Sequence, residues 1–415
     1  MKVLWIVNTI FPELAKDLNL KANVSGGWMY GLADQLSSLQ SLELIIACPN
    51  GNGLNLERKI NNKSYIVYSV NNDKELKDFW KNVKLTHKPD VVHIHGTEFS
   101  YGLNYIKANG QENVVFSIQG LVSVISRYYL ANINTIHILK NITFFDIIKR
   151  ANLIQQKNSF YKRGFLEKDY FKLCENVIGR TEWDYMHSYF LNKNRNYYFC
   201  NEMLREKFYE APKWNYESTQ KYSIFLSQAG YPIKGLHQVI KAITLIIDEF
   251  PDIEVRIAGN NIIDKSTLIQ RLKLNGYGKY VNSLIKKHKL KKNIRFLGNL
   301  NEEQMIEEYL RANVFICPSS IENSPNSLGE AQLLGLPTIS AYVGGVPDMV
   351  EHTKSGFLYR FDEVEMLAYN IKRVFEEDMK LISTQSIEIA NKRHSIINIT
   401  EDLISIYRKI KTTND

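Results

Sequence analysis

The sequence is sparing in several features, and each lack excludes something. Its four cysteines, Cys48, Cys174, Cys200 and Cys317, are scattered over 415 residues. They have neither the paired spacing of a zinc site nor a small scaffold to staple, and they read as reduced thiols. No stretch approaches the roughly 18 uninterrupted apolar residues of a spanning helix. The start, Met1-Lys2-Val3-Leu4-Trp5-Ile6-Val7, runs directly into a strand pattern without a signal-peptide cleavage site, so a cytoplasmic protein is expected. Asn8 to Asn23 contains no glycine. That excludes a conventional dinucleotide enzyme, whose glycine fingerprint occupies the tight turn after the first strand. No internal repeat or low-complexity tract occurs.

The chain is longer than one core usually supports, and its 44% hydrophobic content is ample for two. Apolar runs alternate with helical patterns throughout, as in parallel sheets covered on both faces. Val3 to Val7, Leu42 to Ala47, Val91 to His95 and Val114 to Ile118 read as buried strands of a first domain. A second series comprises Tyr222 to Ser227, Glu254 to Ala258, Ile294 to Leu297, Val314 to Cys317 and Thr338 to Ala341. The polar, irregular stretch between the two series is the candidate linker. The spacing predicts a final amphipathic helix over Ile397 to Ile410.

Net charge is +8, from 52 basic against 44 acidic residues, which suits an anionic partner such as a nucleotide diphosphate, a phospholipid surface or nucleic acid. The run Lys286-Lys287-His288-Lys289-Leu290-Lys291-Lys292 closes a helix beginning near Tyr277, where cations favour the C-terminal dipole. Phe160 to Lys172 interleaves aromatics with cations; peripheral membrane contact and packing with snorkelling side chains explain it equally well.

The most informative segment is Ile321-Glu322-Asn323-Ser324-Pro325-Asn326-Ser327-Leu328-Gly329-Glu330-Ala331. Two carboxylates flank a small polar turn that opens an apolar stretch. With Ser327 as helix cap, the amides of Asn326, Ser327 and Leu328 would face outward where the macrodipole favours a phosphate. The competing reading is a capping box, with Glu330 reaching back to the cap amide. Further on stand Gly344-Gly345-Val346-Pro347-Asp348 and Ser355-Gly356-Phe357; upstream stand Arg295-Phe296-Leu297-Gly298 and Ala312-Asn313-Val314-Phe315-Ile316-Cys317-Pro318-Ser319.

With these motifs the chain resembles the retaining glycosyltransferases of family four, densely from about Ser223 to Glu376 and more loosely over the first two hundred residues. The resemblance implies an α/β fold of two Rossmann-like domains facing across a cleft, the B-type glycosyltransferase fold, with a C-terminal helix crossing back to the first domain. On this reading residues 1–204 form the acceptor-side domain and 205–221 the linker. Residues 222–385 form the nucleotide-sugar domain, and helices in 386–415 return to the first. The implied activity moves a hexosyl or N-acetylhexosaminyl group from a nucleotide-diphosphate sugar to a glycan or lipid-linked glycan, as in surface polysaccharide biosynthesis. No nucleic-acid partner is expected. An Asp-x-Asp triplet is absent throughout, so protein cations rather than a metal should neutralise the diphosphate, and no cofactor is expected.

Residue by residue, the resemblance assigns Glu322 to hydroxyls of the transferred sugar, Glu330 to the ribose, and Lys234 to the donor phosphates. The amides of Asn326, Ser327 and Leu328 would face the leaving diphosphate, and loops near Gly259 and Gly298 would frame the base. Gly26 and Gly27, in Ser25-Gly26-Gly27-Trp28, match a Gly-Gly turn that approaches the donor, their plain alternative being a loop cap. Two positions depart from the family: its second phosphate cation, an arginine, falls on Ala229, with Arg180 and Arg205 as substitutes. Its histidine in a Thr-x-His-Gly segment falls on Gln119, in Phe116-Ser117-Ile118-Gln119-Gly120. Of the nearest histidines, His95 lies at a strand's C-terminal end, where ligands meet such sheets, and His93 reads as a satisfied core residue. Front-face attack, with the leaving oxygen taking the acceptor's proton, needs no strong base and tolerates Gln119. A nucleotide-sugar epimerase of the same fold and a donor-binding subunit without turnover are the alternatives.

Overall fold

A computed structural model of the chain describes residues 1–20, 26–50, 53, 55–69 and 73–412. Ser25 therefore lies outside the described residues. The chain divides into two compact units: unit 1 is Met1–Ser123, Lys162–Arg205 and His394–Asp415, and unit 2 is Val124–Tyr161 and Glu206–Arg393.

Unit 1 is built on β1 (Lys2–Ile6), β2 (Glu43–Asn50), β3 (Leu56–Ile60), β4 (Lys63–Ser69), β5 (Val91–His95), β6 (Val114–Ser117), β7 (Asn176–Gly179) and β8 (Asn196–Phe199). Among the described residues these form one sheet in the order β3-β4-β2-β1-β5-β6-β7-β8. The β3–β4 pair is antiparallel and the β1–β2, β1–β5 and β5–β6 pairs are parallel. Strand β3 reads Leu-Glu-Arg-Lys-Ile, and three charged residues on an edge strand discourage further pairing. Its partner β4 buries Lys63, which pairs with Glu13 and Asp34. The final helix, Ile396–Thr412, buries Ile399, Leu403, Ile406, Tyr407 and Ile410, one stripe at helical spacing. That stripe joins the core containing Val3, Trp5 and Val91. The Tyr407 hydroxyl accepts from Trp5 Nε1 at 2.8 Å and lies 2.7 Å from His93 Nδ1.

Unit 2 holds β9 (Ser223–Leu226), β10 (Glu254–Ala258), β11 (Ile294–Gly298), β12 (Val314–Cys317), β13 (Thr338–Ala341) and β14 (Phe357–Tyr359) in the order β11-β10-β9-β12-β13-β14. Every pair is parallel. The chain winds outward from β9 to β11, then returns to β9's other side as β12. The strand order thus reverses between β9 and β12, the place where open α/β sheets bind ligands beyond their strand ends.

Three expected boundaries are corrected. Val124–Tyr161 belongs to unit 2, not to a first domain running from 1 to 204. It is a set of short helices with no strand, so a reading by strand alternation attaches it to the sheet before it. Its attachment to unit 2 is explicit: Ala131 O lies 2.8 Å from His237 Nε2, Tyr128 O accepts from Ser320 Oγ at 3.0 Å, and Lys140 O accepts from Lys279 Nζ at 3.2 Å. The stretch 205–221 is no open linker after Arg205, because Phe208 and Trp214 are buried and Trp214 donates to Leu334 O and Ala312 O. Residues 386–393 complete the helix Lys380–Arg393 of unit 2, and the chain enters unit 1 only at His394. Among the described residues no helix is long and apolar enough to cross a membrane.

Candidate functional site

In unit 2, the loops after β9 and β12 converge at the reversal point. They form a recess of about 220 Å³ lined by Ser227, Gln228, Lys234, Ser319, Glu322 and Ser327 among others. Lys234 Nζ donates to Glu322 Oε1 at 2.5 Å, and Ser319 Oγ donates to the same oxygen at 2.7 Å. Burial alone would lower the lysine, but the Glu322 carboxylate, then Tyr231, outweigh it and hold Lys234 protonated above the ordinary lysine range. Cys317 lines the same recess as an inert thiol, pushed up to about 12 by burial with Glu322 adding to it.

Two glycines make this convergence sterically possible. Gly235 has φ +69, and a Cβ there would stand 1.7 Å from Pro318 O, so the Lys234 loop can rest on the β12 loop only through glycine. Ser320 N donating to Ile233 O at 2.8 Å ties the same two loops. Gly344, at φ +54, would put a Cβ 1.8 Å from Glu322 O, and Gly345 N donates to that oxygen at 3.1 Å. The Gly-Gly turn therefore grips the backbone of Glu322.

The helix Asn326–Leu334 starts differently from the expected cap. Its N-cap is Pro325, with no side-chain cap hydrogen bond, so Ser327 is inside the first turn and no capping box forms with Glu330. The Leu328 amide is engaged with Pro325 O at 3.0 Å, which removes it from the three expected to face outward. Ser327 borders the recess and its carbonyl accepts from Tyr309 Oη at 2.9 Å. Glu330 is buried in the second turn of the helix. Gly259 and Gly298, both at positive φ, pair with each other at the ends of β10 and β11, Gly259 N donating to Gly298 O at 2.8 Å. Among the described residues, chain neighbours aside, nothing stands within 4 Å of where their Cβ atoms would be.

Ala229, the position matching the family's arginine, is 3% exposed and sits in the core. Both suggested substitutes belong to unit 1. Arg180 is buried there, donating to Ile118 O at 2.7 Å and to Gln119 Oε1 at 3.2 Å and pairing with Glu202. The stem of Arg205 lies against Gly27, where a Cβ would come within 2.7 Å of it. The close approach at Gly27 is thus made by Arg205, and Gly26, at φ +97, caps the helix Gly27–Ser37; the loop-cap reading accounts for this pair.

Unit 1 has its own recess of about 330 Å³, lined by Trp28, His93, His95, Arg180, Glu202 and others. His93 is satisfied on both sides, 2.7 Å from Tyr407 Oη and 2.6 Å from Ser117 Oγ, and burial lowers it to about 3. His95 is also buried and neutral, held well below its usual range by burial, then His93 and Arg180, yet neither ring nitrogen has a partner among the described residues. Its ring packs 4.3 Å from Trp5 and 3.9 Å from His93. Gln119 is oriented by Arg180.

Sequence reasoning left two residues without a role here. Ser319 stands three residues before Glu322 and holds its carboxylate, a spacing that could have signalled it. Arg393 reaches Ser324 Oγ at 3.2 Å from the end of a distant helix, and no sequence signal announces that contact. Among the described residues no group of three or more His, Cys, Asp or Glu is placed to hold a metal ion.

Residues 207–397 match the family described as glycosyl transferases group 1. The chain is 25% identical over 181 residues to spore coat protein SA of Bacillus subtilis, covering 43% of this chain and 46% of that one. Over a stretch of equal length it is 24% identical to a D-inositol 3-phosphate glycosyltransferase of Corynebacterium urealyticum, covering 43% and 41%. The matches span less than half the length of these curated relatives. Among solved structures, a sucrose-phosphate synthase from Thermosynechococcus elongatus matches with a TM-score of 0.72 at 13% identity, over 99% of this chain and 100% of that one. Anabaena Alr3699/HepE in complex with UDP-glucose matches at 0.66 and 14%, over the same shares. At these identities the likeness shows the fold, two parallel-sheet α/β units of the B-type glycosyltransferase class.

Proposed function

Residues 207–397 belong to glycosyl transferases group 1, and from that premise we propose that the protein transfers a sugar, with retention and without a metal, from a nucleoside-diphosphate sugar to a glycan or lipid-linked glycan. The observation that carries the reading is the partly buried Lys234–Glu322 pair, braced by Ser319, at the β9/β12 reversal point beside a helix start. A protonated, partly shielded lysine at that place is a ready counter-charge for a diphosphate, and the helix dipole adds to it. The UDP-glucose in the HepE complex supports a donor of that class for a chain of this fold.

In this mechanism the bond from the anomeric carbon to the diphosphate oxygen breaks while the acceptor oxygen bonds to the same face of that carbon. The acceptor's proton passes to the departing diphosphate oxygen. Lys234 and the first-turn amide of Ser327 stabilise the charge on that oxygen. Glu322 orients sugar hydroxyls and offsets the positive character of the ring, and Glu330 accepts from the ribose hydroxyls. For the acceptor we assign the unit 1 recess, where His95 offers nitrogens without a partner among the described residues, with the sugar-compatible amide of Gln119 following the lining residues Ser117 and Ile118 in sequence.

The test compares Glu330→Gln with Glu322→Gln. Titration with UDP and other nucleoside diphosphates should show weakened binding for Glu330→Gln and near-parental binding for Glu322→Gln, which should instead lose turnover. Identical nucleotide affinity in both variants and the parent would sink the ribose assignment. Release of free nucleotide only when acceptor is added, undiminished by excess chelator, separates transfer from epimerisation and from metal-assisted chemistry.

A further inference from the structure

Three short helices of unit 2 present their apolar side chains to solvent. Phe144–Lys149 is inside out: its buried residue is Asp146, while Phe144, Ile147 and Ile148, one face at i, i+3 and i+4, are exposed. The helix packed against it, Leu268–Lys273, buries no residue and exposes Leu268, Ile269 and Leu272. Ile136 and Leu139 on Thr135–Lys140 extend the series. These eight side chains are between 57% and 75% exposed. Singly exposed apolar residues are ordinary, but a cluster of this size marks an interaction surface. The helices are not frayed turns. Capping boxes at Thr143/Asp146 and Thr267/Gln270, and the Asn134 cap on Ile136 N, fix their first turns.

The charge around this face is mostly positive. Residues 131–161 carry Lys140, Lys149, Arg150 and Lys157 against a single acid, Asp146, which is consumed in its capping box. Residues 261–273 carry Lys265, Arg271 and Lys273 against Asp264. These cations stand close enough to act on one another: Lys265 is lowered by burial and then by Lys286, Lys279 and Arg271. Apolar side chains ringed by cations fit an interface that is hydrocarbon within and phosphate at its rim. A second copy is a poor occupant, since a two-fold contact of this face with itself would bring like charges together. By contrast, in the aromatic and cationic stretch Phe160 to Lys172, Glu167, Tyr170 and Phe171 are interior and only Tyr161 and Phe165 are exposed large apolar side chains, a smaller surface than the eight on the three helices.

We propose that the face formed by helices Thr135–Lys140, Phe144–Lys149 and Leu268–Lys273 docks on an anionic phospholipid surface. Phe144, Ile147, Ile148, Leu268, Ile269 and Leu272 enter the headgroup boundary, and the flanking lysines and arginines meet lipid phosphates.

The experiment floats the full chain with vesicles of phosphatidylcholine alone or mixed with phosphatidylglycerol. Binding should be about tenfold stronger to the anionic vesicles and should fall as salt is raised. The triple change Phe144→Ser, Ile147→Ser and Ile148→Ser should lower it about tenfold with an unchanged thermal midpoint. Leu268→Ser, Ile269→Ser and Leu272→Ser on the neighbouring helix is the independent second variant. Failure of the parent to float with anionic vesicles, or equal flotation of both variants and the parent, overturns the proposal. Self-association in sedimentation velocity that the same changes abolish, without vesicle binding, overturns it in favour of a second copy.

Discussion

The recess of unit 2 takes its lining from two short stretches, Ser227 to Lys234 and Ile316 to Ser327, whereas the recess of unit 1 is lined by residues from Trp28 to Leu403. Unit 2 sets one ion pair at a sheet's reversal point and fits loops around it through Gly235 and Gly344. Unit 1 has two neutral histidines packed edge-on against Trp5, one of them bonded to Tyr407 across 314 residues of sequence, beside the Arg180–Glu202 pair. A site held by local loops and charge leaves a pattern of spaced glycines and carboxylates. A site held by buried groups from distant segments leaves almost none.

The largest expected effect strikes unit 2 at Ala229. If the family's missing arginine simply had room, Ala229→Arg would tighten nucleotide binding. Because Ala229 is core, the change instead buries an unpaired guanidinium, and a loss of about 3–5 kcal/mol in stability is expected, with weaker nucleotide binding. Urea unfolding and nucleotide titration of the variant decide it. Unchanged stability with tighter binding would show that the loop opens and that the site is less rigidly packed than its glycine contacts imply.

Next in size is Lys234→Ala, expected to cost about 2–4 kcal/mol of transition-state stabilisation, the scale of losing a preorganised donor at a developing oxyanion. The loss should appear in turnover and in affinity for a nucleoside diphosphate, and less in affinity for the nucleoside alone. Near-parental values in all three would remove the ion pair from the donor site and undo the contrast between the two recesses.

Much of unit 2 could be read from the sequence because its inner strands are short runs buried on both faces; Val314–Cys317 and Thr338–Ala341 fall where expected. Strand β8, Asn196–Phe199, escaped because it is an edge strand of Asn-Tyr-Tyr-Phe, exposed at both ends, with no aliphatic run of the kind that marks the inner strands. The start of the helix Asn326–Leu334 was misplaced because Asn326 and Ser327 look like caps, while Pro325, a poor capping residue by type, takes that position. Glu322 and Lys234 were each visible as motif members. Their contact spans 88 residues, and only the fold brings it about.

The smallest predicted effect probes the neutral character of unit 1. Glu167 is fully buried, its carboxylate accepting from Val122 N at 2.6 Å and from Ser123 Oγ at 2.5 Å. Burial pushes it up to about 7 despite those bonds, and Glu98 adds to the rise. Between the ordinary carboxylate range and about pH 7 the folded chain therefore holds a proton that the unfolded chain has released, so stability falls as pH rises through that window and is flat above it. From about pH 5.5 to about pH 7 the loss is on the order of 2 kcal/mol, at 1.36 kcal/mol per unit. Glu167→Gln cannot titrate, and its urea midpoint should lack that slope. His93 and His237, both lowered to about 3 by burial, act in the opposite sense as pH falls below the ordinary histidine range, but they are common to both proteins and cancel in the difference. Parallel pH profiles for parent and variant would mean that the carboxylate is ionised in the folded state. Unit 1 would then hold a further buried charge besides its Arg180–Glu202 pair, and the contrast between the units would narrow to sequence distance alone.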